Sequence, residues 1–158
     1  MSNKRNGNGK RCLLLTSCSQ LKRKNSNLEA IDLYDGPSFK IIRKHRNSNL
    51  DILIISAKYG LIDSTEQIGY YDKKMSIERA LELQENITSI LRRKFDSSVY
   101  SAILVNLSKN YYFAVDWTSL MYDGDISWTQ GPIGMRLHQL REWLMVNKGG
   151  GALTNDFN

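Results

Sequence analysis

Arg11-Cys-Leu-Leu-Leu-Thr-Ser17 is the stretch that decides the fold. Its apolar residues run together without the alternation of a half-exposed strand, and it closes on two hydroxyls. That pattern belongs to a short strand covered on both faces, as in a parallel sheet with helices above and below. Leu50-Asp-Ile-Leu-Ile-Ile-Ser56 and Tyr100-Ser-Ala-Ile-Leu-Val-Asn106 repeat it. Helical spacing fills the intervals. A Gly-Pro start signal opens a helix from Gly36 to Arg46. Ser76 is placed to cap a second, running to Lys94, with Ile77, Ala80, Leu81, Gln84, Ile87 and Leu91 on one face. A third, from Ile133 to Val146, sets Ile133, Leu137, Leu140 and Leu144 on one stripe and turns Arg136, His138 and Arg141 elsewhere. The alternation predicts an α/β fold: a single domain with a central, largely parallel sheet flanked by helices.

The chain of 158 residues is long enough to bury its own core without metals or disulfides. Residues 11–147 are expected to form the domain, 1–10 a disordered basic tail and 148–158 a flexible one. Twenty-two Lys and Arg against sixteen Asp and Glu leave a net charge of +6, which favours polyanionic partners. No apolar run approaches the roughly 20 residues of a membrane-spanning helix, so no membrane partner is expected. Nor does the basic N-terminus lead into a secretion signal. Cys12 and Cys18 lie on one extended stretch, about 20 Å apart, beyond disulfide reach. Two free thiols point to a reducing, cytoplasmic setting. Cys12, Cys18, His45 and His138 lack the paired spacing of a zinc site, so neither metal nor cofactor is expected. The two histidines read as solvated or capping residues.

In open α/β sheets ligands bind beyond the carboxyl ends of the strands, so chemistry is sought in the residues after each apolar run. Thr16-Ser-Cys-Ser-Gln-Leu-Lys22 offers the hydroxyls of Ser17 and Ser19 with Lys22 as counter-charge for a phosphate; its bland alternative is a strand end with surface lysines. Ser56-Ala-Lys-Tyr-Gly-Leu-Ile62 places Lys58 and Tyr59 at the end of the second run. Gly69-Tyr-Tyr-Asp-Lys-Lys-Met75 sets Tyr71 and Asp72 among cations, which suits a base on an aromatic face with a phosphate nearby, or equally an ordinary loop with a tyrosine packed inward. Asn106-Leu-Ser-Lys-Asn-Tyr-Tyr112 supplies Asn106 and Lys109. Gly131-Pro-Ile-Gly-Met-Arg136 opens the last helix, and Gly134 there permits either close approach of an anion or a positive-φ turn. The phosphate-binding loop of P-loop proteins, the dinucleotide fingerprint, the hydrolase elbow and the zinc-deaminase signature are all missing.

Taken in order, Cys18-Ser-x-x-Lys22, Leu33-Tyr-Asp-Gly-Pro-Ser-Phe39, Ile55-Ser-Ala-Lys-Tyr-Gly-Leu61, Tyr71-Asp72 and Gly134-x-Arg136-Leu137 resemble a bacterial and phage family related to the YaaA superfamily. The likeness spans nearly the whole domain. It implies DNA binding, modified-base metabolism and, by the nearest chemistry in that neighbourhood, a DNA glycosylase that excises glucosylated hydroxymethylcytosine from phage DNA in antiviral defence. The water-activating and helix-hairpin-helix motifs of better-known glycosylases are missing, so such chemistry needs its own constellation. Cleaving an N-glycosidic bond passes through an oxocarbenium-like sugar, which calls for a carboxylate and for donors to the departing base. Asp72 is the expected carboxylate and Asp35 its understudy. Lys58 would anchor a phosphate or donate to the base or, if buried, attack the sugar as an amine.

Tyr34, Tyr59 and Tyr71 would clamp an extruded base, with Ser17, Ser56 and Asn106 beside it. Lys22, Arg136, Lys109, Ser19 and Gly134 would hold the backbone of DNA. The competing expectations are a non-catalytic DNA-binding stress-response protein, an N-glycosidase acting on free nucleosides or nucleotides, and a plain structural or partner-binding domain.

Overall fold

The computed structural model describes residues 11–24, 27–120, 122 and 124–148. The three apolar runs become β1 (Cys12–Ser17), β3 (Leu50–Ser56) and β6 (Ala102–Asn106), with β1 central and parallel to both neighbours. The sheet order is β4-β3-β1-β6-β7, where β4 (Gly60–Asp63) folds back antiparallel on β3 and β7 (Asp125–Trp128) adds in parallel beside β6. A two-stranded ladder of β2 (Leu28–Glu29) and β5 (Gln67–Ile68) stands apart. The fold is therefore a mixed α/β domain on a five-stranded, mostly parallel sheet.

Successive side chains of β1 point to opposite faces, and both faces are covered. Cys12 and Leu14 pack into one cluster with Phe39 and Ile42 of α2 (Pro37–His45) and Leu140 and Leu144 of α4 (Ile133–Val146). Leu13 and Leu15 pack into another with Ala80, Ile87 and Leu91 of α3 (Ile77–Ser97) and Ala114 of a 3-10 helix (Lys109–Ala114). Side chains of this size contribute about 1.5–3 kcal/mol each when fully buried, so this double-sided strand anchors the domain.

The caps follow the sequence. Gly36 and Pro37 start α2, and the Ser76 hydroxyl accepts from the Arg79 amide at 3.0 Å to start α3. Three details depart from expectation. Ile77 and Leu81 are 45% and 53% exposed, because α3 turns Ala80, Ile87 and Leu91, flanked by Leu83 and Ile90, toward the sheet. Ile133, 72% exposed, sits in the first turn of α4 and lines a cleft rather than the core. Gly134 lies inside that first turn without positive φ, with open space where a side chain would go; Gly131, at φ +91°, makes the turn.

His45 is buried at the end of α2 with Nδ1 unpartnered among the described residues, rather than solvated; burial and the nearby Lys148, Lys44 and Arg141 lower its pKa. Cys12 and Cys18 are both free thiols. Among the described residues no helix is long and apolar enough to cross a membrane, and no three of His, Cys, Asp and Glu gather as metal ligands. Apart from Lys148, the two expected tails lie outside the described residues.

Candidate functional site

The parallel strands end together at Ser17, Ser56 and Asn106, and the polar side chains at each end are held by hydrogen bonds. The Asn106 amide donates to Thr16 Oγ1 at 3.0 Å while its carbonyl accepts from Thr129 Oγ1 at 2.8 Å. Ser17 and Ser108 share a hydroxyl contact of 3.0 Å. Arg136 reaches back from α4 to donate to the Leu107 carbonyl and, at 3.4 Å, to Thr129 Oγ1. It thus points into the carboxyl edge of the sheet, where the helical stripe placed it elsewhere. Asn106 and Ser56 are buried with these bonds made, so both tether strand ends and neither is presented to a base.

A recess of about 250 Å³ opens on this edge. Ser19 and Lys22 reach it from the loop after β1, Asp72, Lys73 and Lys74 from the loop before α3, and Ser108 and Tyr111 from beyond β6. Each loop is held. Lys22 forms an isolated antiparallel bridge with Tyr34, flanked by Arg23 N to Leu33 O at 2.8 Å and Asp35 N to Leu21 O at 2.9 Å. Asn110 Nδ2 donates to Met75 O at 2.9 Å, pinning the Asp72 loop to the 3-10 helix. Gly36 allows the Ser19 loop to approach, since a Cβ there would overlap the Ser19 hydroxyl. Inside, Cys18 Sγ lies 2.9 Å from the Tyr111 hydroxyl, and burial pushes that phenol's pKa up and keeps it neutral. Among the described residues Asp72 is the one carboxylate lining the recess, against three lysines.

Tyr71, which does not itself line the recess, lies between two cations. Lys22 Nζ lies 4.5 Å and Lys58 Nζ 5.8 Å from its ring centroid, and Lys58 also stands 5.1 Å from the ring of Tyr59. A ring face attracts an ammonium through its quadrupole, so Tyr71 steers both lysines without neutralising them. Among the described residues neither lysine pairs with a carboxylate. The Tyr71 hydroxyl is 2.6 Å from that of Tyr34 and 2.7 Å from Ser56 Oγ, and burial raises the pKa of both phenols.

Several expected roles change here. Tyr34 is wholly buried and Tyr71 nearly so, leaving neither a free face to stack on a base; both support the lysines from beneath. Tyr59 is 39% exposed, with Lys58 over its ring and Tyr71 edge-on to it. Asp35 is bound by Arg43 at 2.6 Å and Arg23 at 3.8 Å, and hydrogen bonding from Arg43 holds its carboxyl below the usual range; it braces the loop after α1 (Ala30–Leu33) and is not free for acid-base work. Lys58 is exposed, which removes the premise of amine attack. Gly134 has no close neighbour and gives no cradle.

Lys109 and Arg136 line a second, shallower cavity of about 350 Å³. A small cleft links it to the recess, sharing Arg136 with one and Ser108 with the other. Sequence reasoning passed over Lys73, Lys74, Ser108 and Tyr111, although each lies within a segment singled out on other grounds.

Comparison with known proteins adds relationship without function. No curated protein matches the chain. Among solved structures, AF0587, a protein of unknown function, is similar at 14% identity and a TM-score of 0.49, over 84% of this chain and 44% of that one. The chain therefore spans less than half the length of that protein. The profile of a family of unknown function, DUF6884, matches residues 13–142, and the chain belongs to that family.

Proposed function

We propose that the protein is a DNA glycosylase that cleaves the N-glycosidic bond of a modified base in phage DNA, with the recess at the carboxyl edge of the sheet as its active site. The observation that carries this reading is the lone Asp72 carboxylate among Lys22, Lys73 and Lys74 in one recess. Lysines without carboxylate partners suit phosphates, and a single carboxylate beside them suits the positive charge that develops on the sugar. In the reaction the C1′–N bond breaks with both electrons going to the base, water delivers hydroxide to C1′, and its remaining proton ends on the base. Asp72 orients that water and faces the oxocarbenium-like carbon. Tyr59, 39% exposed, and Lys58 lie outside the recess lining and connect to it through the Tyr71 ring that Lys22 shares; there they would take the extruded base and a flanking phosphate. The choice of glucosylated hydroxymethylcytosine, and of antiviral defence in the cytoplasm, comes from the family resemblance, to which the two free thiols are congruent.

The test is release of free base from DNA carrying unmodified, hydroxymethylated or glucosylated cytosine, read by mass spectrometry with alkaline cleavage at abasic sites. Base release that disappears in Asp72→Asn supports the proposal, and intact DNA of every kind overturns it. A second reading has its own observation: a recess of about 250 Å³ is the size of one small ligand, as an enzyme of free nucleotides requires. Turnover of nucleoside monophosphates with no release from polymeric DNA selects that reading.

A further inference from the structure

We propose that the second cavity is a base-stacking subsite for the nucleotide next to the target, so that the protein engages its substrate as a single-stranded or locally unpaired segment. The inference rests on the recess being a nucleotide site and adds a neighbouring position to it.

Two exposed aromatic side chains, Tyr112 (46%) and Phe113 (38%), line this cavity beside Lys109 and Arg136. Both rings project from the 3-10 helix that follows β6, one and two residues beyond Tyr111 of the recess. The platform is braced from behind. Trp117 stacks on Tyr112 at a centroid distance of 5.7 Å and its indole donates to the Tyr112 carbonyl at 3.0 Å. Trp128, 37% exposed, sits 5.9 Å from Tyr112 and 4.6 Å from Trp117. Gln84 Nε2 holds the Phe113 carbonyl at 3.0 Å, tying the platform to α3.

Exposed aromatics whose backbone is pinned present area at little entropic cost, and every base has a π-face to place on them. An apolar protein surface would be served as well by the rings alone; the flanking Lys109 and Arg136 and the cleft shared with a lysine-lined recess select an anionic, aromatic ligand. A base paired within a duplex keeps its faces against its neighbours, so occupation of this subsite requires an unstacked nucleotide.

The test measures binding, independently of cleavage. Wild-type protein, the Tyr112→Leu/Phe113→Leu double variant and Asp72→Asn are titrated with thymidine 5′-phosphate, single-stranded oligothymidylate and a duplex of equal length at fixed salt. The proposal expects single-stranded oligomer to bind more tightly than monomer, and the double variant to lose about 10- to 100-fold in oligomer affinity, as loss of base stacking does, while monomer affinity holds. Fluorescence of the unaltered protein gives a second measurement: Trp117 and Trp128 stand behind the platform, so oligomer should quench saturably and monomer should not. Equal affinity of wild type and a folded double variant for oligomer, or no difference in quenching between oligomer and monomer, overturns the subsite. Failure of the catalytic reading looks different: no base is released, yet the stacking dependence of binding remains.

Discussion

Replacing Tyr71 by Phe separates the two jobs assigned to this residue. The hydroxyl is buried between Tyr34 at 2.6 Å and Ser56 at 2.7 Å, while the ring carries Lys22 at 4.5 Å. Phenylalanine keeps the ring and deletes the hydroxyl. Ser56 Oγ retains the Lys58 and Tyr59 amides as donors, at 3.2 and 3.1 Å, but the Tyr34 hydroxyl loses its closest partner and is left with Ser56 alone. A buried hydroxyl left short of a partner costs about 1–3 kcal/mol. With a urea dependence of about 2 kcal/mol per molar for a domain of this size, the unfolding midpoint should fall by about 0.5–1.5 M. Affinity for a phosphorylated ligand should stay within about twofold, since the cation–ring contacts survive. Tyr71→Leu, which removes the ring too, should lose that affinity as well. An unchanged urea midpoint in Tyr71→Phe would refute the buried network, and a collapse of ligand affinity in the same variant would refute the division between ring and hydroxyl.

The buried phenols also predict alkaline sensitivity. Tyr34, Tyr71, Tyr100 and Tyr111 all have raised pKa values, chiefly through burial, so the unfolded chain releases its phenolic protons first, near pH 10. Their contribution to stability is fully present below that pH and declines above it, by up to about 1.4 kcal/mol per pH unit for each phenol that stays protonated in the fold. Urea unfolding between pH 8 and 11.5 reads this directly, and a flat profile contradicts it. The two glycines at the start of α4 should behave oppositely. Gly131→Ala forces a side chain into φ +91° with its Cβ 2.7 Å from Met135 Sδ, at a cost of about 1–2 kcal/mol, whereas Gly134→Ala fills open space inside a helix and should stabilise by up to about 1 kcal/mol. Thermal unfolding of the two variants checks both signs.

What could be read from the sequence follows from element length and burial. β1, β3 and β6 are short runs dominated by apolar residues, and α4 occupies the expected Ile133–Val146, although only Leu140 and Leu144 of its stripe are buried. β4 and β7 escaped because each is four residues long at a sheet edge, and the 3-10 helix because its Tyr-Tyr-Phe run carries no helical period. The site was legible where a strand end alone decides it, which places Ser19 and Lys22, following β1, at the carboxyl edge; Asp72, on the loop before α3, and Arg136, on α4, come to it through elements that no strand end fixes. It was illegible where burial decides. Nothing in Leu33-Tyr34-Asp35 reveals that the ring is enclosed or that the carboxylate is claimed by Arg43, eight positions away on α2. The aromatic platform needed β7, since Trp128 comes to Tyr112 only once that strand joins the sheet.

Base release from DNA by the wild-type protein and by Asp72→Asn is the most direct test of the central claim. The account predicts free modified base and alkali-labile sites with wild type, and at least a 100-fold slower release with Asp72→Asn at unchanged DNA affinity, as removal of an acid-base group does. Comparable release by the two proteins, or DNA left intact by both while binding persists, would contradict it.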